Sequence, residues 1–251
     1  MCKSIIEYST LIINHKKILG MKKIHRSLLL LFITTTSFAQ EDNSTHLGLK
    51  VAPSLAWLKS DTKGYESNGS KFGFTYGIIA DFNFASKYAF GTGIDISYRG
   101  GKFKTIDEFK TVFFNEDSII STNSSYTMQY IEIPVTLKLK TNEIGSLTYF
   151  IQVGVSPGIN ISAKKSFESS TQTTVGGVIQ STSSPEDDIE NNKEINNFNF
   201  SMVIGGGAEY NISGETILIG GLQFNNGFLD AFDGSPKVNT NYLALTLGVL
   251  F

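Results

Sequence analysis

The stretch Tyr130–Lys140, YIEIPVTLKLK, limits what this chain can fold into more tightly than any other. Ile131, Ile133, Val135, Leu137 and Leu139 alternate with Glu132, Pro134, Thr136 and Lys138. A period of two belongs to a β-strand, which sends successive side chains to opposite faces of its sheet. Here one face is wholly aliphatic, the other carries a carboxylate and an ammonium, and no turn signal interrupts the run. Such a strand separates two unlike media, with lipid on its apolar side and the interior of a closed barrel on its polar side. Pro134 has no N–H to give to the sheet ladder, which predicts a local bulge or distortion.

The same alternation recurs along the chain. Leu47, Leu49, Val51, Leu55 and Trp57 oppose Gly48, Lys50, Ala52 and Ser54, and Phe72, Phe74, Tyr76, Ile78, Phe82 and Phe84 oppose Gly73, Thr75, Gly77 and Asp81. Tyr88, Phe90, Ile94, Ile96 and Tyr98 oppose Gly91, Asp95, Ser97 and Arg99. Further strands start near Leu147, Phe198, Ile217 and Tyr242, which brings the expected number to eight. Each is near or above the roughly 9–11 residues that cross a bilayer when tilted. The connections alternate long and short, at residues 59–71, 85–87, 101–125, 141–146, 162–197, 212–215 and 226–240. The fold expected is all-β: an eight-stranded antiparallel up-and-down transmembrane barrel with short periplasmic turns and long extracellular loops. Within those loops, Ser162–Asn196 reads as a mobile polar tract and Phe113–Phe114 as a short extra hairpin.

Aromatic placement gives a second argument. With the bulky face outward, Trp57, Phe72, Phe74, Tyr98, Phe198 and Phe224 fall near the long-loop rim. Phe84, Tyr88, Tyr149, Tyr210 and Phe251 fall near the short-turn rim, so two membrane-interface girdles flank an aliphatic belt. A soluble barrel, with its apolar face inward, has no reason to cluster aromatics at both strand ends.

The segment Met21–Gln40 has a basic start, an apolar centre and the small-x-small ending Ser37-Phe38-Ala39, the pattern of a secretory signal peptide. Cleavage after Ala39 divides the chain into residues 1–20, read as a start-site artefact or extension, a 21–39 leader, and a 40–251 barrel domain. The mature part holds 15 Lys and Arg against 22 Asp and Glu, a net charge of −7, which argues against nucleic acid as a partner. Cys2 leaves with the leader and His46 is the one histidine kept, so thiolate chemistry and a zinc site are excluded and no cofactor is implied. An export signal without cysteines fits a bacterial cell envelope.

At this point the residues resemble a known family. YIEIPVTLKLK is similar to the Tyr-x-Glu-Ile-Pro-x-x-x-Lys signature of PorT-like outer-membrane β-barrels of Bacteroidetes, and LTLGVLF resembles that family's final strand. The resemblance implies an eight-stranded barrel in the cell outer membrane, with some members linked to protein secretion. The strand-seven segment here is LQFNNGF, where many relatives carry an Arg-Tyr-x-x-Gly-Leu type sequence. The apolar alternation leading to Phe251 also resembles the signal read by the barrel-assembly machinery.

Eight strands enclose an interior just wide enough for side chains to fill. Asp81, Asp95, Arg99, Glu132, Lys138 and Glu209 face that interior and must pair, because a lone buried charge is costly. Glu132 is expected as the central acid, with Arg99 or Lys138 as its partner. Nothing places a substrate between two carboxylates, His46 stands alone before strand one, and Gly205–Gly207 lacks the helix and Lys-Ser/Thr of a nucleotide loop. The function expected is a non-enzymatic barrel that contacts outer-membrane lipid and an envelope or extracellular partner through its loops. A narrow solute channel is the alternative, followed by a lipid-modifying barrel enzyme and a soluble lipocalin-like binder.

Overall fold

The computed structural model describes residues 44–111, 116–175, 178–190, 194–214, 216–234 and 236–251. Residues 1–43, where the leader and its cleavage site are expected, lie outside the described residues, as do Phe113 and Phe114. Among the described residues ten strands follow one another: β1 (Thr45–Ser60), β2 (Tyr65–Ala85), β3 (Tyr88–Thr111), β4 (Glu116–Glu132), β5 (Val135–Lys140), β6 (Leu147–Val175), β7 (Val178–Glu190), β8 (Phe198–Ser213), β9 (Thr216–Gly227) and β10 (Val238–Leu250).

These ten make a ring of eight. β4 and β5 are one strand interrupted at Ile133–Pro134: Glu132 faces Asp95 and Val135 faces Thr92, so the step is equal on both strands and no residue is inserted. Of the expected bulge or distortion, the strand shows an interruption of its pairing without an inserted residue. Proline removes one donor, the ladder pauses, and the register resumes unchanged; Ile133 N–H bridges the gap by donating to Pro157 O at 2.9 Å. A bulge does occur on neighbouring β6, where the register with β4 shifts between Gln129 and Tyr130. Asn160 Nδ2 stitches it by donating to Gln129 O at 3.2 Å and Ser162 O at 3.3 Å. β7 is the other extra strand and pairs with β6 beyond the ring.

Antiparallel neighbours run β1–β2–β3–β4/β5–β6–β8–β9–β10, and β10 pairs back onto β1 from Gly48↔Leu250 to Ser60↔Val238. Leu47 N–H donates to Phe251 O at 3.0 Å and Phe251 N–H returns the bond to Leu47 O at 2.8 Å. The sheet thus has no free edge around the ring.

The faces separate by chemistry as the alternation requires. Leu49 (61 % exposed), Ile151 (63 %) and Leu222 (57 %) point outward, while Glu132 (1 %), Asp81 (1 %) and Lys138 (3 %) point into the lumen. Outward aromatics stand at both rims: Trp57 stacks on Phe224 with centroids 6.2 Å apart, and Phe84 stacks on Tyr88 at 6.1 Å. Phe72, Tyr98, Tyr149, Tyr210 and Phe251 are also exposed on the outer face.

The long connections are hairpin strands more than loops. β1 and β2 are joined by Asp61–Gly64, and β3 pairs with β4 out to Thr111↔Glu116. The Ser162–Asn196 tract, expected to be mobile, is strand-paired through most of its length, from Lys164↔Glu190 to Val175↔Val178. Its Ser, Thr, Val and Ile content is compatible with extended backbone even where the polarity argues against a core.

Gly48 sits at the closure seam, where a Cβ would meet Val249 O at 2.0 Å and Leu250 Cδ2 at 2.8 Å. Gly48→Val should therefore spread the seam and destabilise the barrel by about 1–3 kcal/mol, in the range of overpacked cores. The check is a lower urea midpoint for unfolding in detergent, followed by the fluorescence of Trp57.

Candidate functional site

The lumen is where the chain places its ionisable side chains, because each lies on the inward phase of a strand. On the short-turn side, Lys138 of β5 is ion-paired to Asp81 of β2 and reaches Glu209 Oε1 of β8 at 3.1 Å. Lys140 holds the second oxygen, with Nζ 2.8 Å from Glu209 Oε2. The Lys138 ammonium also lies 4.7 Å from the centre of the Phe150 ring. One level up, Lys50 Nζ of β1 is 2.7 Å from Asp95 Oδ2 of β3.

Toward the long-loop side, Arg99 Nη1 lies 2.8 Å from Glu132 Oε1. The guanidinium is flanked by aromatic rings, 4.2 Å from the Tyr130 centroid and 5.2 Å from that of Tyr242. Tyr242 Oη donates to the other carboxylate oxygen, Glu132 Oε2, at 3.5 Å. Four cations (Lys50, Arg99, Lys138, Lys140) thus meet four anions (Asp81, Asp95, Glu132, Glu209). That balance matters physically, since an uncompensated charge in a low-dielectric interior costs several kcal/mol.

Apolar clusters pack beside these charges. Toward the short turns, Phe150, Ile219 and Leu250 pack together with Ile79 and Ile217. Toward the long-loop rim, Leu58, Phe103, Tyr126, Met128, Phe232 and Val238 form a larger cluster. Phe232 comes from the connection between β9 and β10, which folds back over the mouth. Asn196 pins it: Asn196 N–H donates to Ala231 O at 2.9 Å, and its side-chain Nδ2 donates to Asp230 O at 2.8 Å and Phe232 O at 3.0 Å. Beside Lys50, Asp81, Thr136 and Lys138 remains a cavity of about 50 Å³, room for little more than water.

All six lumenal residues singled out from the sequence, Asp81, Asp95, Arg99, Glu132, Lys138 and Glu209, are buried. Glu132 meets Arg99; Lys138, the other partner expected for it, instead bridges Asp81 and Glu209. Sequence reasoning missed Lys50, Lys140, Tyr130 and Tyr242 as members of the same layer. The signal was present, since Lys50 shares a strand face with Ala52 and Ser54, and Tyr130 precedes Glu132 by two. His46 stands at the short-turn rim with Nδ1 3.1 Å from Asn83 Nδ2.

Residues 38–233 match the family described as outer membrane protein beta-barrel domain. Among solved structures, the chain is similar to Neisserial surface protein A at 13 % identity and a TM-score of 0.43, covering 84 % of this chain and 100 % of that one. It is also similar to Ail, the attachment invasion locus protein of Yersinia pestis (15 %, 0.35, 83 % and 99 %). Outer membrane protein OprG from Pseudomonas aeruginosa is a third (10 %, 0.37, 85 % and 98 %). A comparison with curated proteins finds no match.

Removing one partner of a buried pair is much worse than replacing both. Glu132→Ala should cost about 3–5 kcal/mol by leaving the Arg99 guanidinium unpaired, whereas the double variant Glu132→Leu/Arg99→Met should recover most of that loss. Urea unfolding in detergent measures both; equal loss in the single and double variants would refute the pairing as the cause.

Proposed function

This chain belongs to the outer membrane β-barrel protein family, and on that footing we propose that it is a plugged, non-enzymatic barrel which acts through its long-loop rim. The observation that carries the reading is the filled lumen: a network of paired charges packed beside apolar clusters, with Phe232 folded over the mouth. A pore needs a continuous polar path, and an eight-stranded ring leaves little space for one once its inward side chains are in place. The mass of chain outside the ring, the strand-paired β3–β4 and β6–β7 hairpins, is correspondingly large.

Within the family, the YIEIPVTLKLK strand favours the PorT-like branch and with it a task in envelope interaction or secretion-related assembly. The leader at 21–39 is read as the export signal, and the apolar alternation up to Phe251 as the segment engaged by the barrel-assembly machinery during insertion. The partner is expected at the long-loop rim, in the envelope or outside the cell.

Planar bilayers decide between plug and channel. Purified protein should give no stable unitary current, and shortening the β9–β10 connection across Ala231–Phe232 should still leave the charged layer blocking conduction. A reproducible current from the intact protein, abolished by Glu132→Gln, would replace this reading with a narrow channel.

A further inference from the structure

Lysines gather on one arc of the outer wall, at the long-loop rim. Lys71 of β2 reaches across β3 to β4, where its Nζ donates to Ser125 Oγ at 3.1 Å and to Thr127 Oγ1 at 2.5 Å. Ser125 and Thr127 point outward, because Tyr126 and Met128, which alternate with them, are buried inside the ring. Lys71 is brought to this face by an irregular stretch of β2: the register with β3 shifts on both sides of Ser70, and the next residue, Phe72, is 71 % exposed. Gly100, on the outward phase of β3 between Tyr98 and Lys102, puts no side chain in its path. Two further lysines stand directly opposite the hydroxyls. Lys102 of β3 faces Ser125, Lys164 of β6 faces Thr127, and both are exposed. Such a cluster runs against the balance of the chain, since residues 40–251 hold 15 Lys and Arg and 22 Asp and Glu.

The patch adjoins the lipid-facing surface. Toward the membrane lie Tyr98, stacked on Tyr76 with centroids 6.4 Å apart, and the exposed Ile131 and Ile161. Acids return one row farther out, where Glu66 faces Lys104 and Glu168 faces Asn123; Glu190 of β7 stands opposite Lys164 at the edge of the patch. Positive charge is therefore concentrated around Lys71 and Lys102, in the row nearest the bilayer, at the depth of lipid headgroups.

We propose that this patch binds the phosphate of an anionic lipid headgroup in the leaflet at the long-loop rim, with the acyl chains against the Phe72 and Tyr98 face. The proposal rests on the outer-membrane placement of the barrel. A phosphate presents several acceptor oxygens, and the patch answers with the Lys71 and Lys102 ammoniums and with the hydroxyl hydrogens of Ser125 and Thr127, whose oxygens already accept from Lys71. Those two bonds hold the Lys71 ammonium in position before a lipid arrives, which lowers the entropy lost on binding.

Full-length protein folded in dodecyl maltoside micelles is titrated with diphosphorylated lipid A, with the same lipid after removal of its phosphates, and with inorganic phosphate as competitor; native mass spectrometry reads the lipid retained. Saturable retention of the phosphorylated lipid is expected, weakened about ten-fold or more by dephosphorylation and to a similar extent in Lys71→Gln/Lys102→Gln. Lys102→Gln alone, at an exposed position, should weaken it about five-fold, and Lys87→Gln at the opposite rim should leave it unchanged. Equal retention with and without phosphates, full retention in the double variant, the same loss in Lys87→Gln, or displacement of the lipid by an equimolar amount of inorganic phosphate overturns the site. Heat-modifiable gel mobility accompanies every sample. A folded double variant that keeps the lipid refutes the patch alone, whereas absence of the mobility shift in the unsubstituted protein refutes the barrel reading and the patch with it.

Discussion

Hydrocarbon offers no partner for a peptide group. Every N–H and C=O of a lipid-facing strand must therefore be satisfied by a neighbouring strand, and a sheet meets that demand only by closing on itself. The β1–β10 ladder is the closure, and the remaining structure depends on it. Outward aliphatic side chains, inward charges and the rim aromatics follow from a strand with two faces once the ring has an inside and an outside.

Closure creates a second constraint. The lumen of an eight-stranded ring is narrow, so side chains entering it lose water and must find one another. Lys50, Lys138, Lys140 and Arg99 do so with Asp81, Asp95, Glu132 and Glu209, and each pair joins different strands. Arg99 gains further from Tyr130 and Tyr242, whose rings flank the cation while one hydroxyl serves its carboxylate partner. The polar layer fixes the angular order of strands in a way that apolar contacts, which are non-directional, do not.

Much of this was legible in the chain because alternation reports directly on faces. Glu132, Thr136 and Lys138 could be assigned inward and Ile131, Ile133 and Leu137 outward from spacing alone. Pairing was less legible. Lys138 could have met any lumenal acid, and only the register, with Lys138 opposite both Ala89 and Gln152, sends it to Asp81 and Glu209 instead of Glu132. Polarity misled at the long-loop side, where Ser162–Asn196 looked unstructured although backbone pairing there needs no apolar face. The apolar cluster at the long-loop rim was invisible because Leu58, Phe103, Tyr126 and Phe232 are scattered along the chain and converge only when the β9–β10 connection folds inward.

The seam between β1 and β10 also governs time. Gly48 finds Leu250 across nearly the whole domain, and every contact that seals the ring waits for the most distant pair of strands to meet. Contacts of such sequence separation pay a large loop-closure entropy before they return any stabilisation, which makes folding slow. Until then the Leu, Ile and Phe faces destined for lipid are exposed to water, and the chain is open to aggregation. Connectivity of this kind therefore sets a long interval in which the chain must stay extended without self-association before its ring can close.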